Sequence, residues 1–327
     1  MKKFFSFFAL ALLSVSAFAQ DCETVSSSFS GNASITFQRY THKDLIGNFT
    51  IGEGKVVRFS QGNLQYRASS NKWRFAENQY DCVANGAISG NTTASSKRST
   101  QSEWIDLYAW GTSGWDSGAN FFQPWASSTT ASDYRANESS AQNSPNADWA
   151  KYNAIINGGI ASAPAPGDWR VLTTAEWLNL FNRTDANDRL LYAFGTLMTV
   201  SGVFLLPDGW DWNTIIAGLE TGDVKTALTA LSDGWAYGGK TFTNSVISDS
   251  DVWTVLENLG VVFLPVSGRR SGTSVSLETT YGYYWSSTDL NNIAQARGVL
   301  FYANYLAAQR NLNREWGCAV RPVHDVL

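Results

Sequence analysis

Apolar positions along this chain repeat with period two over most of its ordered-looking stretches and with helical spacing over a few short ones. In SITFQRY, Ile35 and Phe37 fall on one face of a predicted strand. KVVRFS, NLQYRA and KWRFAE follow as short alternating runs separated by the turn signals Gly62-Asn63 and Ser70-Asn71. From Ala84 to Ser102 the chain is nearly all small and polar, which predicts an exposed loop.

Four helices are predicted. SEWIDLYAWG starts from Ser102 as N-cap, with Trp104, Leu107 and Tyr108 on one face, and DWAKYNAIINGG runs from Asp148 to a stop at Gly158 and Gly159. In LTTAEWLNLFNR, Thr173 and Glu176 have capping-box spacing and Trp177, Leu180 and Phe181 line the inward stripe. SDSDVWTVLENLG takes Ser250 as N-cap, buries Val252, Leu256 and Leu259, and stops at Gly260. The strand-like runs GVFLLP and GVVFLP begin at Gly202 and Gly260. The last fifty residues read as antiparallel: YYWSS, ARGVLFY, an Asn-Tyr turn region, then WGCAVRPV with Trp316, Cys318 and Val320 on an apolar face. Strands near both ends with helices between them predict an α+β domain whose termini meet in one sheet.

Residues 1–19 combine two lysines, an apolar run and an Ala-x-Ala site, the parts of a secretory signal peptide. The organisation expected is that leader, a lead-in with one strand over 20–50, and a single domain over 51–327. The product is expected to be secreted, periplasmic or held at the cell surface. No later run is long and apolar enough for a transmembrane segment.

Only 16% of the 327 residues are charged and the net charge is −4, which leaves no basic footprint for nucleic acid. The 14 tryptophans suit a core of large flat side chains.

Signs of chemistry are sparse. His42 and His324 have no neighbouring cluster and read as exposed histidines near the ends of the chain. The close carboxylate pairs Asp208 with Asp211 and Asp249 with Asp251 sit at turns and helix starts, where acids act as caps. Gly238-Gly239-Lys240 reads as a surface turn. Cys22, Cys82 and Cys318 allow one disulfide of undetermined pairing, and Cys318 reads as buried or bridged, not reactive. No cofactor is indicated, although an irregular calcium site made of loop carbonyls would leave no pattern in the sequence.

Several stretches carry a family resemblance. WRVLTTAEW (169–177), FLPVSGRRSG (263–272), YGYYWSST (281–288) and NREWGCAVRPV (313–323) resemble, in order and spacing, motifs of the formylglycine-generating, sulfatase-modifying-factor superfamily. SQGNLQYRAS (60–69) and WGTSGW (110–115) are similar to secreted bacterial domains of the FISUMP type. The resemblance implies a C-type-lectin-like fold with long loops presenting a ligand surface. It does not carry enzyme activity across, because the reactive cysteine pair of formylglycine-generating enzymes has only Cys318 as a counterpart here.

The same fold serves as the variable receptor of diversity-generating retroelements, and the matching window here runs from Asp289 to Trp316. The ligand-binding residues expected in it are Asp289, Asn291, Asn292, Tyr302, Asn304, Tyr305, Asn311 and Asn313, with a protein or glycan at a cell surface as partner. Trp285, Arg321, Trp177 and Phe181 are expected to be scaffold. The alternatives are an extracellular enzyme related to formylglycine-generating oxidases and a structural subunit of a surface assembly.

Overall fold

The structure is a computed structural model that describes the backbone of 22–28 and 34–40 and, with side chains, residues 45–91, 100–114, 122–134, 147–159 and 166–326. The expected leader, His42, the centre of the 84–102 loop, Trp115 and the side chains of Cys22, Ile35 and Phe37 lie outside the described residues.

In chain order the elements are β1 (Cys22–Ser28), β2 (Ser34–Tyr40), β3 (Phe49–Gly52), β4 (Lys55–Phe59), β5 (Leu64–Arg67), β6 (Lys72–Phe75), α1 (Thr174–Phe181), β7 (Tyr192–Leu197) and β8 (Val200–Leu205). They continue with α2 (Trp212–Gly218), α3 (Asp223–Asp233), β9 (Val246–Ile247), α4 (Ser250–Asn258), β10 (Val262–Pro265), β11 (Arg269–Ser271) and β12 (Ser274–Ser276). The last five are β13 (Tyr281–Trp285), β14 (Gln295–Tyr302), β15 (Tyr305–Asn313), β16 (Trp316–Gly317) and β17 (Val323–Asp325). The architecture is α+β, made of small, mostly antiparallel sheets ordered β1-β2, β10-β8-β7-β9, β12-β11-β16, β13-β14-β15, β17-β4-β3 and β5-β6. The two ends of the domain do meet in one sheet, since Val323 to Asp325 pair with Phe59 to Val57.

Strand alternation sorts the side chains into three cores. Val203 and Leu205 of β8 and Val262 and Leu264 of β10 face α1, while Phe204 and Phe263 face α2 to α4. In β13, Tyr284 joins the α1 side, and Tyr283 and Trp285 join a second core with Trp110 and Trp149. Strand β13 is therefore packed on both faces. Helix α1 holds its place through the expected capping box, in which Thr173 accepts from the Glu176 N–H and Glu176 accepts from the Thr173 N–H, a device worth about 1 kcal/mol. Trp177, Leu180 and Phe181 are buried as the stripe requires.

Several expectations are corrected. The 102–111 segment is extended: Ile105 bridges Tyr66 and Tyr108 bridges Cys318, with N–H to O distances of 2.9 to 3.0 Å. It is wedged between two strands whose backbones need partners, and residues 105–110 are buried on every side, so the apparent stripe had no polar counterpart. The 148–159 segment is a series of turns, because Asp148 accepts from the backbone of both Lys151 and Val171 and Ile155 bridges Trp73. Helix α4 is capped by Asp249 and not by Ser250, and α2 and α3 occupy a stretch for which no helix was expected.

The polar 84–102 loop is tucked in at its ends, where Ile88, Asn91 and Gln101 are buried. The expected Asn-Tyr turn is confined to Ala303 and Asn304, and the nine-residue strand β15 follows it from Tyr305. Cys318, Ala319, Val320 and Arg321 are all 0% exposed, so the final run has no polar face.

Asp106 is fully buried; Asn91 Nδ2 donates to its Oδ1, and Oδ2 has no partner among the described residues. Burial pushes this carboxyl up to about 7. An acid raised in the folded state binds protons that the unfolded chain, titrating near 4, has already lost. Its contribution to stability is complete below about pH 4 and is lost as pH rises through about 7. Urea denaturation should show stability falling over that window, with a shallower profile for Asp106→Asn; an unchanged profile would contradict the assignment.

Candidate hairpin surface and its tyrosine ladder

Strands β14 and β15 form the hairpin that carries most of the expected window. Tyr281 of β13 sits opposite Tyr302, which in turn sits opposite Tyr305, while Gln295 at the other end of β14 sits opposite Asn313. The register shifts between Gly298 and Leu300. The eight expected residues therefore separate into two groups, one at the hairpin tip and one at its root. Seven residue steps of β14 lie between them, roughly 23 Å at about 3.3 Å per residue.

At the root the polar residues spend their hydrogen bonds on the fold. Asp289 accepts from the Arg314 guanidinium at 2.5 Å, where the arginine side chain is 1% exposed and the aspartate 13%. Asp289 also accepts from the Asn291 N–H, and Asn291 takes a left-handed φ of 51°. Asn292 accepts from the N–H groups of Ala294 and Gln295. Asn311 accepts from Arg297 at 2.6 Å, and Asn313 lies between Gln295 and Glu315.

The tip is different. Tyr305 and Tyr302 stack at 4.8 Å between ring centroids, Tyr302 and Tyr281 lie 4.6 Å apart, and Tyr281 and Tyr283 stack at 5.9 Å. Tyr283 then meets Trp316 edge-on at 6.0 Å, and the Arg269 guanidinium carbon lies 3.6 Å from the Trp316 ring centre. The rings stand up from the sheet and use their faces on one another, so what they present outward is a row of edges and hydroxyls. Tyr281, Tyr302 and Tyr305 are half-buried, and their hydroxyls carry no hydrogen bond among the described residues. Asn304, exposed at φ 68°, closes the turn, and its N–H donates to the Lys240 carbonyl at 2.8 Å. Gly238-Gly239-Lys240, the expected surface turn, thus props the tip.

Tyr281, Trp316 and Arg269, linked through the buried ring of Tyr283, adjoin this surface but lay outside the expected set. Cross-strand register joins them, and no spacing in the sequence reveals register. A cleft of about 670 Å³ on another part of the molecule, lined by Lys55, Asp148, Lys151, Arg170, Glu176 and Asp325 among others, was also unforeseen.

The other chemical candidates are structural. Asp208 accepts from Thr50 and from Arg183, Asp211 caps α2, and Asp249 caps α4. His324 is half-buried, not exposed, with its ring edge-on to Trp169 at 5.2 Å. Cys82 and Cys318 are free thiols and buried. Burial pushes the Cys82 thiol up to about 12 and the Cys318 thiol higher still, so neither supplies thiolate near neutral pH. Among the described residues no group of three or more His, Cys, Asp or Glu side chains could hold a metal ion. No helix of the described residues is long and apolar enough to cross a membrane.

Two outcomes follow from this geometry. Asp289→Ala strands a buried guanidinium and should lower stability by about 3 kcal/mol or more in denaturant titration, whereas a loss under 1 kcal/mol would show that the pair is dispensable. In the native protein at pH 8, Cys82 and Cys318 should leave an aromatic disulfide reagent unconsumed, and both should react at once in guanidinium; rapid native labelling of Cys318 would reopen thiol chemistry at that position.

No family model matches this chain, and neither a curated protein nor a solved structure matches it, so its own geometry carries the functional reading.

Proposed function

We propose that this chain is an exported, non-enzymatic binding module of C-type-lectin-like architecture that engages a protein on a cell surface through the tip of the β14–β15 hairpin. The observation that carries this reading is the tyrosine ladder: three half-buried rings, held by stacking, whose hydroxyls have no partner among the described residues. Tyrosines ordered in advance lose little side-chain entropy on binding, which is why they dominate adaptable recognition surfaces. Because the ring faces are consumed in stacking, the outward row of hydroxyls and edges suits the mixed polar and apolar relief of a protein better than the flat face of a sugar ring. The closed sheet between β17 and β4 and the small antiparallel sheets support the architectural part of the reading. Of the window resembling retroelement variable proteins, Tyr302, Asn304 and Tyr305 are the part on which recognition rests, joined by Tyr281.

The test is binding of the purified chain to arrayed cell-surface ectodomains and, separately, to arrayed glycans. The double variant Tyr302→Ala/Tyr305→Ala should weaken the ectodomain interaction by at least about thirtyfold, the equivalent of one strong hot spot, while Asn291→Ala/Asn292→Ala changes it less than threefold. Binding confined to glycans, or equal for wild type and the tyrosine variant, would overturn the reading.

A further inference from the structure

The cleft of about 670 Å³ is framed by the β3–β4 turn, the 148–152 turns, the start of α1 and β17. Its volume falls within the range of small-molecule sites. Most of its charges are already committed. Arg170 donates to both oxygens of Glu176 at 2.8 and 3.0 Å and to both oxygens of Asp325 at 2.7 and 2.9 Å, so two carboxylates offset its single positive charge and four of its five N–H groups are committed. Glu176 is further tied to the Thr173 N–H.

Asp148 is the exception. It is 8% exposed. Its Oδ1 accepts from the backbone of Lys151 at 3.1 Å and of Val171 at 3.0 Å. Its Oδ2 has no partner among the described residues and is not sealed from the cleft. A carboxylate oxygen held with little water around it is a strong acceptor for a charged donor and a poor host for a neutral one, since only a cation offsets the lost hydration. On the same walls, Lys55 and Lys151 are exposed and carry positive charge, and the half-buried ring of Tyr152 lies beside the Lys151 ammonium.

We propose that this cleft binds a small zwitterion, an amino acid or short peptide, with its ammonium on Asp148 Oδ2 and its carboxylate toward Lys151 and Lys55. The site is separate from the hairpin tip and needs no part of that reading. Two carboxylates offset the arginine's charge, which makes it the weaker attraction for the ligand's carboxylate. The lysines, whose charge no carboxylate offsets by a close ion pair among the described residues, take it, and Asp148 takes the ammonium. Burial, which pushes the Asp148 carboxyl up to about 6, fits the same picture, because an ammonium partner restores the stability of its charged form.

Calorimetric titration of the full chain at pH 7 with glycylglycine, propylamine, propionate and glucose tests this. Glycylglycine should bind saturably, propylamine about tenfold more weakly, and propionate and glucose not at all. Asp148→Asn keeps an acceptor for both backbone amides and should abolish glycylglycine and propylamine binding alike. Lys151→Ala should bring glycylglycine down toward the level of propylamine, and Tyr302→Ala/Tyr305→Ala should leave glycylglycine binding unchanged. Absence of saturable glycylglycine binding, equal binding of glucose, or binding indifferent to a folded Asp148→Asn would overturn the proposal.

Discussion

The fold depends on one run of backbone, from Trp316 to Asp325, that supplies hydrogen-bond partners to segments with no other common neighbour. Gly317 pairs with Arg270, and Cys318 exchanges both backbone bonds with Tyr108. Ala319 bonds to Tyr283 and Trp285, Val320 accepts from Leu64, and Pro322 accepts from Ser60. Val323 then pairs with Phe59 on one side and Arg170 on the other. A backbone bonded along both edges must be surrounded, and every buried N–H or C=O left without such a bond would cost about 1 to 3 kcal/mol. That constraint accounts for the burial of Arg321. Its guanidinium donates to Gln79 at 2.7 Å, Gln79 in turn donates to Glu257, and burial lowers the arginine to about 10.

How much of this was legible depended on whether the deciding interaction was local. The Thr173–Glu176 capping box and the stripe of Trp177, Leu180 and Phe181 act within one or two helical turns, and they appear where the sequence places them. The strands β4, β5 and β6 do too, because each alternates and is bounded by a turn. The segments around Tyr108 and Ile155 went the other way. Their local patterns suit a helix, but their backbones are claimed by Cys318 and Trp73, more than seventy residues distant, and the non-local bonds prevail. The α2 and α3 helices were overlooked although Asp211 is an ordinary cap, and a reading for helical spacing after that aspartate would have found them.

The surface was legible in kind and not in arrangement. Asparagine and tyrosine are versatile binding residues, and the window from Asp289 to Trp316 is rich in both. Asparagine also serves turns and left-handed φ, and Asn291, Asn292 and Asn304 do that work here. Separating the two uses requires the pairing of Tyr281 with Tyr302 and of Tyr302 with Tyr305, which exists only once three strands are in register. The cleft was less accessible again. Its walls come from Lys55, Asp148, Arg170, Glu176 and Asp325, and no window of sequence holds more than two of them close together.

The central position of the Trp316 to Asp325 run also bears on timing. Its partners at Phe59, Ser60 and Leu64 lie more than 250 residues earlier in the chain, so the loop that must close is almost the whole domain. Contacts of such long range are slow to form, and a ribosome releases this strand after every segment that it joins. The chain consequently spends most of its synthesis without its keystone, and the sheets lock together only when this strand arrives.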